Sequence, residues 1–224
     1  MITADDGTPG STDGEADAAA AVADRPEAWP VHQVERIWQG AAPFSVRRDI
    51  ISAPGRPDER FGRLVLEHPG AVVVLAVDEQ DRALVLQQYR HPALLRFIEL
   101  PAGLLDEPDE DPLEAARREL REEGLVLAEQ WTHLFTTYSS PGLSSERIAY
   151  YLARGVSAAP DRGGFVLEHE EADMTLSWVP VDDLVAGVRD GRVTDGPTAQ
   201  AVLGYRMFGD TLPEGRPGEP SPTG

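Results

Sequence analysis

The sequence holds no cysteine. That excludes a disulfide framework, a thiolate nucleophile and any cysteine metal site, and leaves the chemistry to oxygen and nitrogen groups. Lysine and asparagine are also missing, a bias that fits a GC-rich coding sequence and says nothing of mechanism. Basic residues are scarce, 20 against 39 acids, for a formal charge of −19 over 224 residues. A nucleic-acid backbone or an anionic membrane surface would be repelled over most of such a surface, and no basic helix or zinc motif offsets this. No apolar run approaches the roughly 20 residues that span a bilayer, and the acidic start is unlike the basic-then-apolar pattern of a secretory signal. The expectation is a cytoplasmic protein with a small-molecule partner, no nucleic acid and no membrane. An anionic partner would need local help from arginines or metal ions.

Large apolar residues are sparse at both ends. Residues 1–28 are rich in Ala, Asp, Gly and Thr, with seven acids among the first 27 against Arg25 alone, and residues 209–224 are rich in Pro and Gly. Neither stretch can bury enough surface to offset its ordering entropy, so both are expected to be disordered tails. Between them, strand-like segments at 31–38, 44–51 and 60–66 make an N-terminal β segment over 29–66. A main domain then runs over 67–208. It opens with a buried-strand pattern at 71–77, and residues 80–82 turn the chain into a second strand at 83–89, a hairpin in the simplest reading. Pro112 suits the first turn of a helix over 112–123, with Leu113, Ala116 and Leu120 on one stripe and Gly124 placed to stop it. Strands at 131–138, 148–153 and 174–180 and helices at 181–190 and 198–208 complete the pattern. It reads as α/β of the α+β kind, a mixed sheet flanked by helices.

The densest chemical signal is Arg117-Arg118-Glu119-Leu120-Arg121-Glu122-Glu123. Helical spacing puts Glu119 and Glu123 one turn apart with Glu122 between them in angle, about a quarter-turn from the apolar stripe. Carboxylate oxygens are the donors that Mg²⁺ or Mn²⁺ select. The same spacing also makes a solvated face with pairs such as Arg118 and Glu122, so the segment alone decides nothing. The stretch before it adds the missing context: Gly103-Leu104-Leu105-Asp106-Glu107-Pro108-Asp109-Glu110 ends in a glutamate eight residues before Arg118.

Together these residues resemble the Nudix box: a glycine, a short loop with a glutamate, seven residues, then Arg-Glu-Leu-x-Glu-Glu. The similarity to the ADP-ribose pyrophosphatase branch extends over roughly residues 30–208, through Glu67-His68-Pro69-Gly70-Ala71-Val72, Gln88-Tyr89-Arg90-His91, Glu99-Leu100-Pro101-Ala102-Gly103-Leu104, Ser140-Pro141-Gly142 and Glu170-Glu171-Ala172-Asp173. Two features depart from the pattern. The loop from Gly103 to Glu110 is one residue longer than the commonest form, and Leu125 stands where a glycine is expected. With a positive φ there, a leucine costs on the order of 1 kcal/mol.

The resemblance implies a Nudix-type α/β/α sandwich with an N-terminal β extension. It implies Mg²⁺-dependent hydrolysis of the diphosphate of ADP-ribose to AMP and ribose 5-phosphate, with Mn²⁺ able to substitute. The metal ligands would be Glu119, Glu122 and Glu123, with the Ala102 carbonyl completing the shell and Glu122 counted also as catalytic. Arg118 and Glu110 would pair to fix loop to helix. Arg90 would bind phosphate, Leu104 would line the substrate site, and Glu99 and Glu146 would touch a ribose or an outer metal. Trp38 and Phe44 are the aromatic candidates for stacking on adenine. His68, His91 and His169 have no partners at metal-ligand spacing and are read as structural. The general base would come from a loop after the box, Glu171 first and Glu170 second. Exchange of N-terminal strands would make a homodimer with shared sites. Two alternatives stay open: a Nudix hydrolase of another nucleotide sugar or of a dinucleotide, and a non-catalytic nucleotide-sensing module. Modules of the second kind usually lose a box carboxylate, and all are present here.

Overall fold

Residues Ala71–Ala76 (β4) are buried at every position, and a strand buried on both faces needs cover on both sides. The computed structural model describes residues 22–40, 43–105, 110–167 and 171–209, with only the backbone of Glu171. In it β4 lies between Ala102–Leu104 (β7), antiparallel, and Arg147–Ala158 (β9), parallel. Val126–Tyr138 (β8) pairs with the far edge of β9, giving a mixed four-stranded sheet of order β7-β4-β9-β8. A second sheet places Arg82–Arg90 (β5) between Thr175–Pro180 (β10) and Leu95–Glu99 (β6). A third is an antiparallel meander of Val31–Gln39 (β1), Ser45–Ser52 (β2) and Arg60–Glu67 (β3).

The hairpin expected between 71–77 and 83–89 does not form. The two segments touch through one bridge, Val77 to Ala83, and then part into different sheets. Each is flanked by partners on both edges, β4 by β7 and β9 and β5 by β10 and β6. Two largely buried strands thereby become centres of separate sheets instead of arms of one ribbon. Asp81, at φ 57, turns the chain between them.

Three helices cover the sheets: Pro112–Glu122 (α1), Val181–Arg189 (α2) and Gly196–Phe208 (α3). α1 packs Ala115, Ala116 and Leu120 with Val72, Val74 and Tyr151. α2 and α3 pack Val181, Leu184, Val202 and Tyr205 with Val73, Leu75, Val85 and Tyr150. Successive residues of β4 thus alternate between the two clusters, as strand geometry requires, and the architecture is the expected α/β/α sandwich with an N-terminal β extension.

At its start α1 is capped by Asp111, whose side chain accepts from the Leu113 N–H at 2.7 Å, worth about 1 kcal/mol. At its end a Cβ on Gly124 would lie 2.7 Å from both the Leu120 carbonyl oxygen and Leu84 Cδ2. Leu125 follows at φ 53, and its N–H closes on the Arg121 carbonyl at 3.2 Å. The close packing and the positive φ are therefore divided between two residues, with the strained conformation carried by a leucine. Of the expected tails, 1–21 and 210–224 lie outside the described residues, as do His169 and Glu170. Among the described residues no helix is long and apolar enough to cross a membrane.

Candidate active site

With its small apolar stripe pressed onto β4, α1 presents its carboxylates toward β7. Glu119 and Glu123 are each only 7% exposed, and a carboxylate so buried needs a partner. Glu119 accepts from Arg118 Nη1 at 2.6 Å, and Glu123 accepts from the Ala102 N–H at 2.9 Å. Arg118 Nη1 also reaches Glu122 at 3.3 Å, while its Nε and Nη2 donate to the two oxygens of Glu110, each at 3.2 Å. The loop-to-helix pair expected of Arg118 and Glu110 is present. These carboxylates, the Glu110 hydrogen bonds foremost, hold the Arg118 pKa above its ordinary value. Burial pushes Glu119 up to about 7, with Arg118 pulling it down and Glu122 adding to the rise.

Gly103 explains itself by contact. A Cβ there would lie 1.9 Å from Glu119 Oε1, so the β7 backbone passes against that carboxylate with no room for a side chain. Glu119, Glu122 and Glu123 face a cavity of about 580 Å³ together with Ala102, Leu104 and Arg90. That volume suits a small-molecule ligand. Phe44 and Glu146 also line it.

Two expected site residues lie elsewhere. Glu99, 6% exposed, is absent from the cavity lining and sits against Arg90, accepting from its Nε at 2.9 Å and its Nη2 at 2.7 Å. Its place is that of a counter-ion that orients the arginine and raises the arginine's pKa. Trp38, in β1 and 49% exposed, does not line the cavity either. The reason is topological, since β1 is the edge of the N-terminal meander and exposed along its length. Of the two base candidates, Glu170 is outside the described residues, and Glu171 opens a short 3₁₀ turn, Glu171–Asp173, with its side chain undescribed.

The cavity also holds His68, which was read as structural, and three residues given no role from the sequence: Gln88, Phe165 and Pro197. Gln88 had a usable signal, since it lies two residues before Arg90 on one strand and so shares its face. It is 4% exposed, and its Oε1 has no hydrogen-bond partner among the described residues. Phe165, from the stretch after β9, and Pro197, in the first turn of α3, arrive from distant parts of the chain and gave no sign.

Among the described residues no three acidic or histidine side chains are gathered closely enough to enclose an ion. In kind the donors nonetheless suit a hard cation. They are all oxygen, they line one cavity, and Glu119 is buried against a strand that only glycine allows.

A family model described as the NUDIX domain matches residues 67–200. The chain is 37% identical over 183 residues to an ADP-ribose pyrophosphatase of Mycobacterium tuberculosis, a match covering 82% of this chain and 86% of that one. It is 34% identical over 170 residues to a methanol dehydrogenase activator of Bacillus methanolicus, covering 76% and 88%. A crystal structure of an ADP compounds hydrolase shares the fold, with a TM-score of 0.67 over 83% of this chain and 96% of that one at 18% identity. The box geometry, the sandwich and these matches agree: the chain belongs to the Nudix family.

Proposed function

We propose that the chain hydrolyses the diphosphate of ADP-ribose to AMP and ribose 5-phosphate with Mg²⁺ bound, Mn²⁺ being able to replace it. The observation that carries this reading is the single cavity shared by the three box carboxylates, Arg90 and Phe44. Glu119, Glu122, Glu123 and the Ala102 carbonyl would hold the metal. When bound, a divalent ion supplies cancellation of the diphosphate charge and a lowered pKa for coordinated water. Arg90, steadied by Glu99 through Nε and Nη2, supplies a charge-assisted contact to phosphate. Phe44 offers a ring to adenine, Leu104 an apolar wall, and Glu146 a carboxylate for a ribose hydroxyl or an outer metal. Water adds to one phosphorus, the bridging P–O bond breaks, and the water's proton passes to a carboxylate. That base is Glu171, then Glu170, with Glu146 next in order.

The name of the Mycobacterium tuberculosis relative supports the substrate. The Bacillus methanolicus relative carries a different name at nearly the same identity, so product analysis is the test. Incubation with Mg²⁺ and a panel of nucleoside diphosphate sugars and dinucleotides is expected to convert ADP-ribose fastest. Faster conversion of another member would transfer the reading to that substrate, and no conversion of any would favour the sensing module. A homodimer with exchanged N-terminal strands belongs to the same reading, supported by the exposure of Val31, Val34, Ile37 and Trp38 along β1. A cytoplasmic location goes with the substrate class.

A further inference from the structure

His68 lies just beyond β3, where its main-chain N–H donates to Ser145 Oγ at 3.0 Å. Its ring is fixed on three sides. One face stacks on Phe44, with centroids 5.2 Å apart at 19°. Nδ1 accepts from the Gly70 N–H at 3.1 Å, which requires a lone pair there and places the proton of the neutral ring on Nε2. Nε2 in turn faces Glu146 Oε1 at 3.6 Å, with the histidine side chain only 10% exposed. The other oxygen of Glu146, Oε2, accepts from Ser139 Oγ, and the Glu146 N–H donates to Ser144 Oγ at 3.0 Å. Both His68 and Glu146 line the cavity of the box carboxylates. Among the described residues Glu146 is the one carboxylate outside the box that does so.

We infer that His68 is a positioning residue for Glu146: a neutral imidazole, locked with its proton on Nε2, aims the Glu146 carboxylate into the cavity. A separation of 3.6 Å is longer than a hydrogen bond, and contacts of this kind commonly tighten when substrate binds. Gly70 sets the tautomer, Phe44 sets the ring plane, and Ser139 takes the second oxygen. A ring retained only to fill the space beneath Phe44 would have no need of a polar partner at each nitrogen. The catalytic consequence rests on the hydrolase reading; the geometric claim does not.

Three substitutions separate positioning from packing. His68→Gln keeps an amide N–H at the Nε2 end, His68→Asn offers one only at the Nδ1 end, and His68→Phe keeps the stacked ring with no donor. With ADP-ribose and Mg²⁺, His68→Asn and His68→Phe are expected to lower kcat by roughly 10- to 100-fold, the usual cost of removing a supporting partner. His68→Gln should recover most of the loss. Placed on Glu146→Gln, His68→Phe should cost little more, because its target is gone. Equal losses in His68→Gln and His68→Phe, or an undiminished loss on Glu146→Gln, would overturn the inference while wild-type turnover upheld the hydrolase reading. Nitrogen NMR of the metal-free protein gives the answer without turnover. The His68 ring should be the Nε2–H tautomer, with an Nε2 resonance that moves on Glu146→Gln, whereas the other tautomer or an unmoved resonance would refute the positioning role even in an inactive protein.

Discussion

At the scale of single residues, helical spacing gathers Glu119, Glu122 and Glu123, and the box becomes legible only with the Gly103 to Glu110 stretch that precedes them. The places where its neighbours matter were not readable. Trp38 and Phe44 looked alike as aromatic residues of one β segment, and only the pairing order puts Phe44 in the cavity and Trp38 on an exposed edge strand. Glu99 was expected at a ribose or an outer metal, and its side chain lies instead against Arg90, whose Nε and Nη2 donate to it. Gly103 yields a sharp prediction. In Gly103→Ala the new Cβ displaces the flexible end of Glu119, not a backbone atom, so the melting temperature should stay within a few degrees while the Mg²⁺ concentration needed for half-maximal rate rises severalfold. A full-rate Gly103→Ala enzyme with unchanged metal demand would contradict the role given to Glu119.

Glu119 also carries a pH signature. Its pKa in the folded protein, about 7, lies above the ordinary 4.5, chiefly through burial. The folded state therefore binds more protons than the unfolded chain between those values, so this group's contribution to stability falls as pH rises from about 4.5 to about 7. In EDTA, the wild type should lose more stability across that window than Glu119→Gln does, by thermal or denaturant melts. Added Mg²⁺ should narrow the difference, because a bound cation favours the ionised form. Parallel pH profiles for the two proteins in EDTA would show that burial does not raise the Glu119 pKa in this way.

At the scale of elements, the helices were legible from caps and stripes. The box helix starts at Pro112 behind the Asp111 cap and ends one residue short of expectation, and α2 and α3 fall within two residues of their expected ends. Strands fared worse where pairing overrides local pattern. β7 is three residues long and follows a proline, so it carries no periodicity to read, yet it supplies Ala102 and Gly103 to the site. β8 and β9 each extend past the expected limits by pairing with one another. The junction after the box helix is the element most open to test. Gly124→Ala drives a Cβ into backbone oxygen and Leu84, a collision costing about 1–3 kcal/mol. For a chain of this size that corresponds to a fall in Tm of roughly 2–12 °C, read by calorimetry, and an unchanged Tm would show that the junction relaxes freely.

At the scale of the whole molecule, the two apolar clusters on opposite sides of β4 account for a sandwich that holds α1 rigid over the cavity. The N-terminal meander stands apart from this. It leaves Val31, Val34, Ile37 and Trp38 in solvent on β1, which is costly for an isolated chain and sensible where a second copy covers it. Sedimentation is expected to give about twice the 24.3 kDa of one chain, with Trp38→Asp shifting the protein toward single chains. A fully active species of one chain's mass would remove the shared-site model and leave the box chemistry standing.

If Glu119, Glu122 and Glu123 make this cavity a metal-dependent diphosphatase site, the initial rate of ADP-ribose cleavage reports it. The wild type should release AMP and ribose 5-phosphate in equal amounts with Mg²⁺, stop in EDTA and resume when Mg²⁺ is restored, while Glu123→Gln, folded by circular dichroism, should lose most of that rate. Undiminished cleavage in EDTA, or a folded Glu123→Gln protein that keeps the wild-type rate, would contradict it.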